Sequence, residues 1–230
     1  HLPTRRQRQM CIRDRDNSFA MTQHRQNYIL PMTYITNPNS AGNSELTEEN
    51  IDKKEAKFQV STKFPLYLEE AGFDGVYFGF TLTSFWQLYN SEVSKPFRET
   101  NYEPEVFWQE TADYSVFGYK FNTFQVGFNH MSNGQSGLQS RSWNRLFASI
   151  VFSDNDDIYY LKTWYRIPED EKDDINDPTG DDNPDIQDYY GRIELGYGRK
   201  IGAFKMMALL RNNLDFDENR GSIQLDFTYP

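Results

Sequence analysis

The sequence lacks the features that mark several common protein classes. Its single cysteine, Cys11, excludes an intrachain disulfide, so no disulfide framework can hold the fold together. No apolar run approaches the roughly 20 residues of a membrane-spanning helix, which excludes a helical membrane protein. Histidine is also scarce. The chain has three histidines, and two of them, His1 and His24, lie near the N-terminal end. If a histidine in the body of the chain has a chemical role, it is therefore His130.

Basic residues are also fewer than acidic ones. The chain carries 24 Lys and Arg against 34 Asp and Glu, a formal net charge of −10. Five of the arginines fall within residues 1–15, a segment without the apolar core of a secretory signal peptide. We expect residues 1–26 to be a disordered or non-native leader. The acidic remainder argues against a nucleic-acid partner, because phosphate contacts need clusters of Lys and Arg.

Alternation of apolar and polar residues is the main pattern that the chain does contain. In one segment the apolar set alternates with a polar set, namely Ala56, Phe58, Val60 and Phe64 against Lys57, Gln59, Ser61 and Lys63. A period of two places each set on one face of a β-strand. Aromatic residues make up 16% of the chain, including 18 Phe and 15 Tyr. This content suits the aromatic girdles of a membrane barrel, although a soluble β-sandwich can also carry it.

Ten strands are predicted from this alternation. They cover 27–36, 56–66, 75–89, 102–112, 117–131, 143–153, 158–167, 189–199, 202–213 and 221–229. Long connections (37–55, 90–101, 132–142, 168–188 and 214–220) alternate with short ones (67–74, 113–116, 154–157 and 200–201). All long loops then fall at one end of the sheet, as in outer-membrane barrels. We therefore predict an all-β fold, an antiparallel transmembrane β-barrel formed by one domain, residues 27–230.

The candidate catalytic residues share a face of two adjacent predicted strands. His130 and Ser132 lie on the same face as Phe124, Val126 and Phe128, and Asn144 lies on that of Leu146, Ala148, Ile150 and Phe152. In a soluble protein this apolar face would be core, whereas in a membrane barrel it is turned toward lipid. A hydrolytic site on a lipid-facing surface suggests that lipid is the substrate.

Each of these three residues has a chemical role that follows from its type. Ser132 would attack an ester carbonyl, and His130 would take and return the proton. Asn144 would fix the imidazole tautomer by a side-chain hydrogen bond, without a buried negative charge beside hydrocarbon. The segment 132–142 is rich in Ser, Gly, Asn and Gln, which is typical of a loop that bears a polar site.

The wider pattern resembles the outer membrane phospholipase A family. The motifs that carry the resemblance are Asn129-His130-x-Ser132-Asn133-Gly134, Ser140-Arg141-Ser142-Trp143-Asn144-Arg145, Trp86-Gln87-Leu88-x-Asn90-Ser91-Glu92 with Pro96-Phe97-Arg98-Glu99-Thr100-Asn101-Tyr102-Glu103-Pro104, and Asp181-Asp182-Asn183-Pro184-Asp185-Ile186. The resemblance implies a calcium-dependent serine hydrolase of the Gram-negative outer membrane, with its active site toward the outer leaflet. Such enzymes cleave acyl esters of phospholipids and lysophospholipids (phospholipase A1 and A2 type), fold as twelve-stranded barrels and act as homodimers.

The resemblance also implies a calcium site. Ser140 would offer its hydroxyl and Gln135 its backbone carbonyl, while Ser94 would come from the partner subunit. Asp182 would belong to an alternative calcium site that the monomer uses. Oxygen ligands of this kind suit a hard cation completed by waters. A calcium-polarised water and the backbone N–H of Ser132 would then stabilise the tetrahedral oxyanion.

Three features depart from the family pattern. Gln135 stands where the family usually has Arg, and Leu82 stands where some members carry a polar residue of the dimer interface. The loop 168–188 is longer and more acidic than expected. We interpret it mainly as a solvated outer loop, with extra affinity for divalent cations as the alternative.

Two other protein classes remain open. One alternative is a passive barrel, a porin or adhesin, in which His130 and Ser132 are incidental. The other is a soluble β-sandwich that binds a partner and buries the face of Phe124, Val126 and Phe128 as its core.

The chain also has fewer predicted strands than the twelve of the family. Because about ten strands are present, we expect two C-terminal strands to be missing and the chain to be a fragment with open sheet edges.

Overall fold

A single antiparallel sheet makes up almost the whole molecule. The computed structural model describes residues 21–229 apart from 42, 70–72, 173, 175–179 and 182. The strands are β1 (Thr22–Gln23), β2 (Tyr28–Tyr34), β3 (Lys54–Leu68), β4 (Gly75–Trp86), β5 (Phe97–Val116), β6 (Tyr119–Ser132), β7 (Ser142–Asp154), β8 (Asp157–Arg166), β9 (Ile193–Ile201), β10 (Phe204–Asn212) and β11 (Gly221–Thr228). Strands β3 to β11 pair in chain order, and β1 and β2 both pair with β3. Within the described ranges, no helix has the length and apolarity to cross a bilayer.

The sheet has a polar inner face and an apolar outer face. On the outer face Val60, Leu146 and Ile223 are 55%, 52% and 73% exposed. On the inner face Ser61, Glu105, Asn129 and their polar neighbours are almost completely buried. A soluble protein has the opposite arrangement, so the soluble β-sandwich is wrong. The curled antiparallel sheet instead confirms the predicted all-β barrel, in which apolar side chains face lipid.

Each of the ten predicted strands is present, but some of their ends differ. Strands β5 and β6 meet at Phe117 and Gly118 rather than at 113–116, and both turn residues have positive φ, 52° and 89°. This pair of dihedrals is that of the two-residue turn whose twist matches antiparallel strands. The turn between β9 and β10 is at 202–203 rather than 200–201. Strand β9 begins at Ile193 rather than at 189, because a short helix, α1 (Ile186–Tyr190), precedes it.

The described part of the expected leader lies on the sheet. Thr22 and Gln23 pair with β3, so ordered structure begins before residue 27. Arg25 reaches the inner face, where its guanidinium lies 2.6 Å from Glu103 and 2.8 Å from Glu105. His24 Nε2 lies 2.7 Å from the Glu105 carboxylate. Residues 21–26 therefore differ from the expected leader, since Arg25 supplies a cation and His24 a hydrogen-bonding partner to buried carboxylates on β5.

A second buried charge pair joins β3 and β5 near the long-loop end of the sheet. Arg98 Nε and Nη2 each donate to Glu55 at 2.9 Å, and the Glu55 side chain is fully buried. Gln87 Nε2 also donates to Glu55, at 3.2 Å. The Arg98 guanidinium lies 4.7 Å from the centre of the Phe85 ring. These contacts satisfy a carboxylate that would otherwise be costly to bury.

Gly127 allows β5 and β6 to pair closely behind the predicted catalytic residues. It pairs with Phe107, a 1% exposed residue of the inner aromatic cluster. A Cβ atom at position 127 would overlap both the Val106 carbonyl and the Phe107 side chain. The strand pairing therefore depends on the absence of a side chain at this position.

We expect Gly127→Ala to lower the free energy of unfolding by about 1–3 kcal/mol, because the added methyl group forces backbone atoms apart. Urea unfolding of the protein in phospholipid vesicles measures this change. Gly198→Ala is the matched control, since it adds the same methyl group to β9, where the nearest atom is 3.8 Å away. Equal losses for the two variants would contradict the overlap as the cause.

Candidate active site

Strands β6 and β7 hold two of the predicted catalytic residues directly opposite each other. In the register of this pair His130 faces Asn144, and Ser132 faces Ser142. His130 Nδ1 lies 2.9 Å from Asn144 Oδ1. An amide oxygen can only accept a hydrogen bond, so the imidazole must carry its proton on Nδ1. In the neutral ring, Nε2 is then the atom with a free lone pair and can act as a base.

Ser132 lies two residues further along β6, on the same face as His130. Its hydroxyl oxygen accepts a hydrogen bond from the backbone N–H of Gly134 at 3.1 Å. Gly134 has a φ of 70°, a left-handed conformation that glycine adopts without steric cost. The turn therefore holds the serine hydroxyl at the last position of the strand.

The surroundings of these residues on the outer face are apolar and open. Phe128 and Leu146, which precede His130 and follow Asn144 by two positions, are 40% and 52% exposed. Tyr102, the partner of Ser132 on β5, is 40% exposed. The predicted triad residues therefore lie on the outside of the sheet, on its apolar face.

The loop after Ser132 is organised by the buried side chain of Asn133. Its Oδ1 accepts hydrogen bonds from the backbone N–H groups of Gln135 (3.2 Å) and Arg141 (2.9 Å), and its Nδ2 donates to the Gln139 carbonyl at 2.8 Å. The Asn133 side chain thus links the two ends of the loop 133–141 by hydrogen bonds. Asn133 belongs to one of the family motifs, but its role in the loop was not predicted, although an asparagine after a strand end is a known turn signal.

A charged cluster supports the same two strands from the inner face. Arg145 Nε donates to Asn129 Oδ1 at 2.9 Å, and its Nη2 lies 2.6 Å from Glu103. Asn129 Nδ2 in turn donates to Glu103 at 3.0 Å. The Arg145 guanidinium also lies 4.1 Å from the centre of the Trp143 ring. Since Asn129 and Arg145 are sequence neighbours of His130 and Asn144, these buried contacts fix the backbone that carries the outer pair.

The three predicted calcium ligands among the described residues divide between two loops. Gln135 is exposed and Ser140 is buried, and both belong to the loop 133–141. Ser94 is exposed in the loop between β4 and β5, while Asp182 lies outside the described residues. Among the described residues, no group of three His, Cys, Asp or Glu side chains forms a metal site. The hydroxyl and carbonyl oxygens of the loop 133–141 nevertheless fit the oxygen preference of calcium.

A cleft of about 300 Å³ opens beside this loop. Asn133 and Gln135 line it from the loop after β6, and Phe97, Glu99 and Tyr102 line it from β5. The cleft therefore joins the apolar outer face to the polar loop that follows Ser132. A ligand with both an apolar and a polar part fits such a boundary.

The long loop between β8 and α1 is attached to the loop 133–141. Asn183 Oδ1 accepts from the backbone N–H of Ser142 at 3.1 Å, and its Nδ2 donates to the Ser140 carbonyl at 3.2 Å. Arg166 donates to Asp181 at 2.5 Å and to the Pro184 carbonyl at 2.9 Å. This part of the acidic loop is therefore not only solvated, because its hydrogen bonds attach it to the loop 133–141 and to β8.

The same loop brings a carboxylate to the triad. Glu169 Oε1 accepts a hydrogen bond from Asn144 Nδ2 at 2.8 Å. This contact could not be predicted from the sequence, because Glu169 is one of many acidic residues in the segment and no spacing distinguishes it.

Comparison with known proteins gives the same family throughout the chain. The family described as Phospholipase A1 matches residues 4–230. Phospholipase A1 of Klebsiella pneumoniae is 36% identical over 222 residues, which cover 95% of this chain and 73% of that protein. Phospholipase A1 of Escherichia coli K12 is 34% identical over 221 residues, covering 95% of this chain and 72% of that protein.

Solved structures show the corresponding fold. Outer membrane phospholipase A from Escherichia coli superposes with a TM-score of 0.81 and 34% identity, over 94% of this chain and 79% of that one. The Salmonella typhi outer membrane phospholipase, solved as a dimer with bound calcium, gives a TM-score of 0.80 over 93% of this chain and 79% of that one. The relatives are ester hydrolases, which is evidence against the passive porin or adhesin. The chain belongs to the phospholipase A1 family.

Proposed function

We propose that this phospholipase is a calcium-dependent outer-membrane serine hydrolase with a lipid-facing triad of Ser132, His130 and Asn144. Its substrates would be the acyl esters of phospholipids and lysophospholipids, as in phospholipases of type A1 and A2. The observation that carries the proposal is the hydrogen bond between His130 and Asn144 on the apolar outer face, with Ser132 on the same face.

The reaction follows from the tautomer that Asn144 imposes on His130. Nε2 would accept the proton of the Ser132 hydroxyl as its oxygen attacks the ester carbonyl. His130 would then give this proton to the departing glycerol oxygen, which leaves an acyl group on Ser132. A water molecule, deprotonated by the same nitrogen, would release the fatty acid and restore the serine. Asn144 would stabilise the imidazolium by accepting from its Nδ1–H in both steps.

The loop 133–141 would complete the site. We propose that the backbone N–H of Ser132 faces the developing oxyanion, and that the Gln135 carbonyl and the Ser140 hydroxyl hold calcium. Bound calcium would supply positive charge that polarises a water at the oxyanion. The related Salmonella typhi structure contains calcium, and a related Escherichia coli structure is an active-site mutant in which an asparagine is replaced by alanine. Both related structures support the assignment of these roles here.

The proposed assembly is a homodimer in the outer membrane, with Ser94 of the partner subunit completing the calcium site. The relative from Salmonella typhi is a dimer, which supports this assembly. Leu82 of this chain would place an apolar side chain at the interface. The catalytic residues lie at the long-loop end of the sheet, so we propose that the site faces the outer leaflet.

Calcium removal tests the proposed cation. We expect the protein refolded in detergent micelles to release fatty acid from phosphatidylcholine with calcium, and to lose about 100-fold or more of this rate in EDTA, because the oxyanion loses its stabilising charge. Ser140→Ala is expected to raise the calcium concentration needed for half-maximal activity about tenfold. Ser136→Ala, an exposed serine of the same loop, is the matched control.

Two outcomes would contradict different parts of the proposal. Undiminished release in EDTA would exclude calcium dependence, and no release by a protein shown to be a folded barrel would exclude the hydrolase itself. A phospholipid with two different acyl chains would show which of its two ester bonds is cleaved, because each released fatty acid identifies its position.

A further inference from the structure

Glu169 contacts the triad without belonging to it. It is half-buried at the start of the long loop after β8, and its Oε1 accepts a hydrogen bond from Asn144 Nδ2 at 2.8 Å. We propose that Glu169 is a positioning residue, which fixes the orientation of the Asn144 amide and thereby the tautomer of His130. This inference rests on the proposed function of the triad.

The argument depends on which groups can donate. An ionised carboxylate only accepts hydrogen bonds, so Glu169 can be satisfied by the NH2 group of Asn144 but not by its oxygen. The amide oxygen is then turned toward His130 and lies 2.9 Å from Nδ1. Without Glu169, the amide could rotate by half a turn and present its NH2 group to the imidazole. That arrangement would favour the tautomer in which Nε2 carries the proton and cannot act as a base.

Backbone hydrogen bonds fix the chain on both sides of Glu169. Before it, the backbone N–H of Ile167 donates to the Asn144 carbonyl at 2.9 Å, which extends the β7–β8 ladder past Arg166. After it, the Asp170 carbonyl accepts from the backbone N–H of Asp181 at 2.7 Å. Gly180 precedes this contact with a φ of 92°, and a Cβ there would lie 2.9 Å from the Asp170 oxygen. The base of the loop is therefore closed around the position of Glu169.

This arrangement also separates two roles that an aspartate combines in other serine hydrolases. Asn144 touches the imidazole without bringing a charge next to the apolar outer face. Glu169 supplies a negative charge on the far side of the Asn144 amide from His130, where the polar loop can solvate it. Through its hydrogen bond with the Asn144 NH2 group, this charge polarises the amide, so that the amide oxygen binds the imidazolium that forms during catalysis more strongly. Its effect should appear in the chemical step and not in substrate binding.

The test compares kcat and KM for phospholipid hydrolysis by calcium-loaded enzyme. We expect Glu169→Leu to lower kcat about 10–100-fold with an unchanged KM, and Glu169→Gln to fall between it and wild type because a glutamine can either accept or donate. Glu171→Gln, an exposed acidic residue of the same loop, is the matched control. In an Asn144→Ala background, Glu169→Leu should have no further effect, since Glu169 acts through Asn144.

A serine-directed sulfonyl fluoride provides a second measurement on the folded fraction. Its inactivation rate should fall in proportion to kcat, even in a variant that refolds poorly. Wild-type kcat and inactivation rate in Glu169→Leu, or an equal loss in the Asn144→Ala background, would overturn the positioning role while Ser132→Ala remained inactive. Full activity of Ser132→Ala would instead overturn the proposed triad itself.

Discussion

Replacing Ser132 with alanine is expected to abolish ester hydrolysis, with a loss in kcat of about 10,000-fold or more. The hydroxyl is the proposed nucleophile, and neither His130 nor the loop 133–141 can take over the covalent step. Fatty-acid release from phosphatidylcholine in detergent micelles measures the loss. The variant should keep the wild-type fold, because the hydrogen bond that the Ser132 hydroxyl accepts from the Gly134 N–H is local.

Ser149→Ala is the control for this prediction. Ser149 lies on β7, is 4% exposed on the inner face, and its hydroxyl donates to Gln125 at 3.2 Å. Its removal deletes a serine hydroxyl from the neighbouring strand without touching the outer face. Full activity of Ser132→Ala, or an equal loss in Ser149→Ala, would exclude Ser132 as the nucleophile.

The main part of the fold could be predicted from the sequence because a barrel repeats one rule. Apolar residues alternate with polar ones along each strand, so the two faces of β3 or β6 can be assigned from a few positions. His130 and Asn144 follow the same parity, and the strand register then brings them together. The motif around Ser132 contributed the proposed chemistry, which alternation alone does not contain.

Other features could not be predicted, because they depend on contacts between distant segments. Arg25 belongs to a segment without alternation, and its position is set by Glu103 and Glu105, about 80 residues away in the chain. Helix α1 has too few residues for a helical period to be distinguished from a strand. Glu169 is recognisable only once Asn144 lies beside it. In each case the partner, and not the local sequence, determines the structure.

Removing the Arg98 side chain is expected to lower the free energy of unfolding by about 3–5 kcal/mol. Arg98→Ala would leave Glu55, which is fully buried, without the cation that donates two hydrogen bonds to it. Gln87 would remain as a neutral donor at 3.2 Å, which cannot balance a buried charge. Urea unfolding in phospholipid vesicles, followed by tryptophan fluorescence, measures the difference.

The ion pair between Arg199 and Asp157 provides the control for this prediction. Its atoms are 3.6 Å apart, and the Arg199 side chain is 52% exposed, so Arg199→Ala should cost far less stability than Arg98→Ala. Adding Glu55→Gln to Arg98→Ala should recover part of the stability, because the unpaired charge is removed. A similar cost for Arg98→Ala and Arg199→Ala would contradict the role of burial.

The position of Ser132 and His130 on the outer wall of the sheet determines how a substrate would reach them. A membrane lipid would approach sideways, by lateral diffusion in its leaflet, without leaving the bilayer for an aqueous cleft. The concentration that governs the rate would then be the mole fraction of phospholipid around the barrel. Diluting the substrate with a lipid that has no ester should slow turnover even when the total amount of substrate in the sample is unchanged.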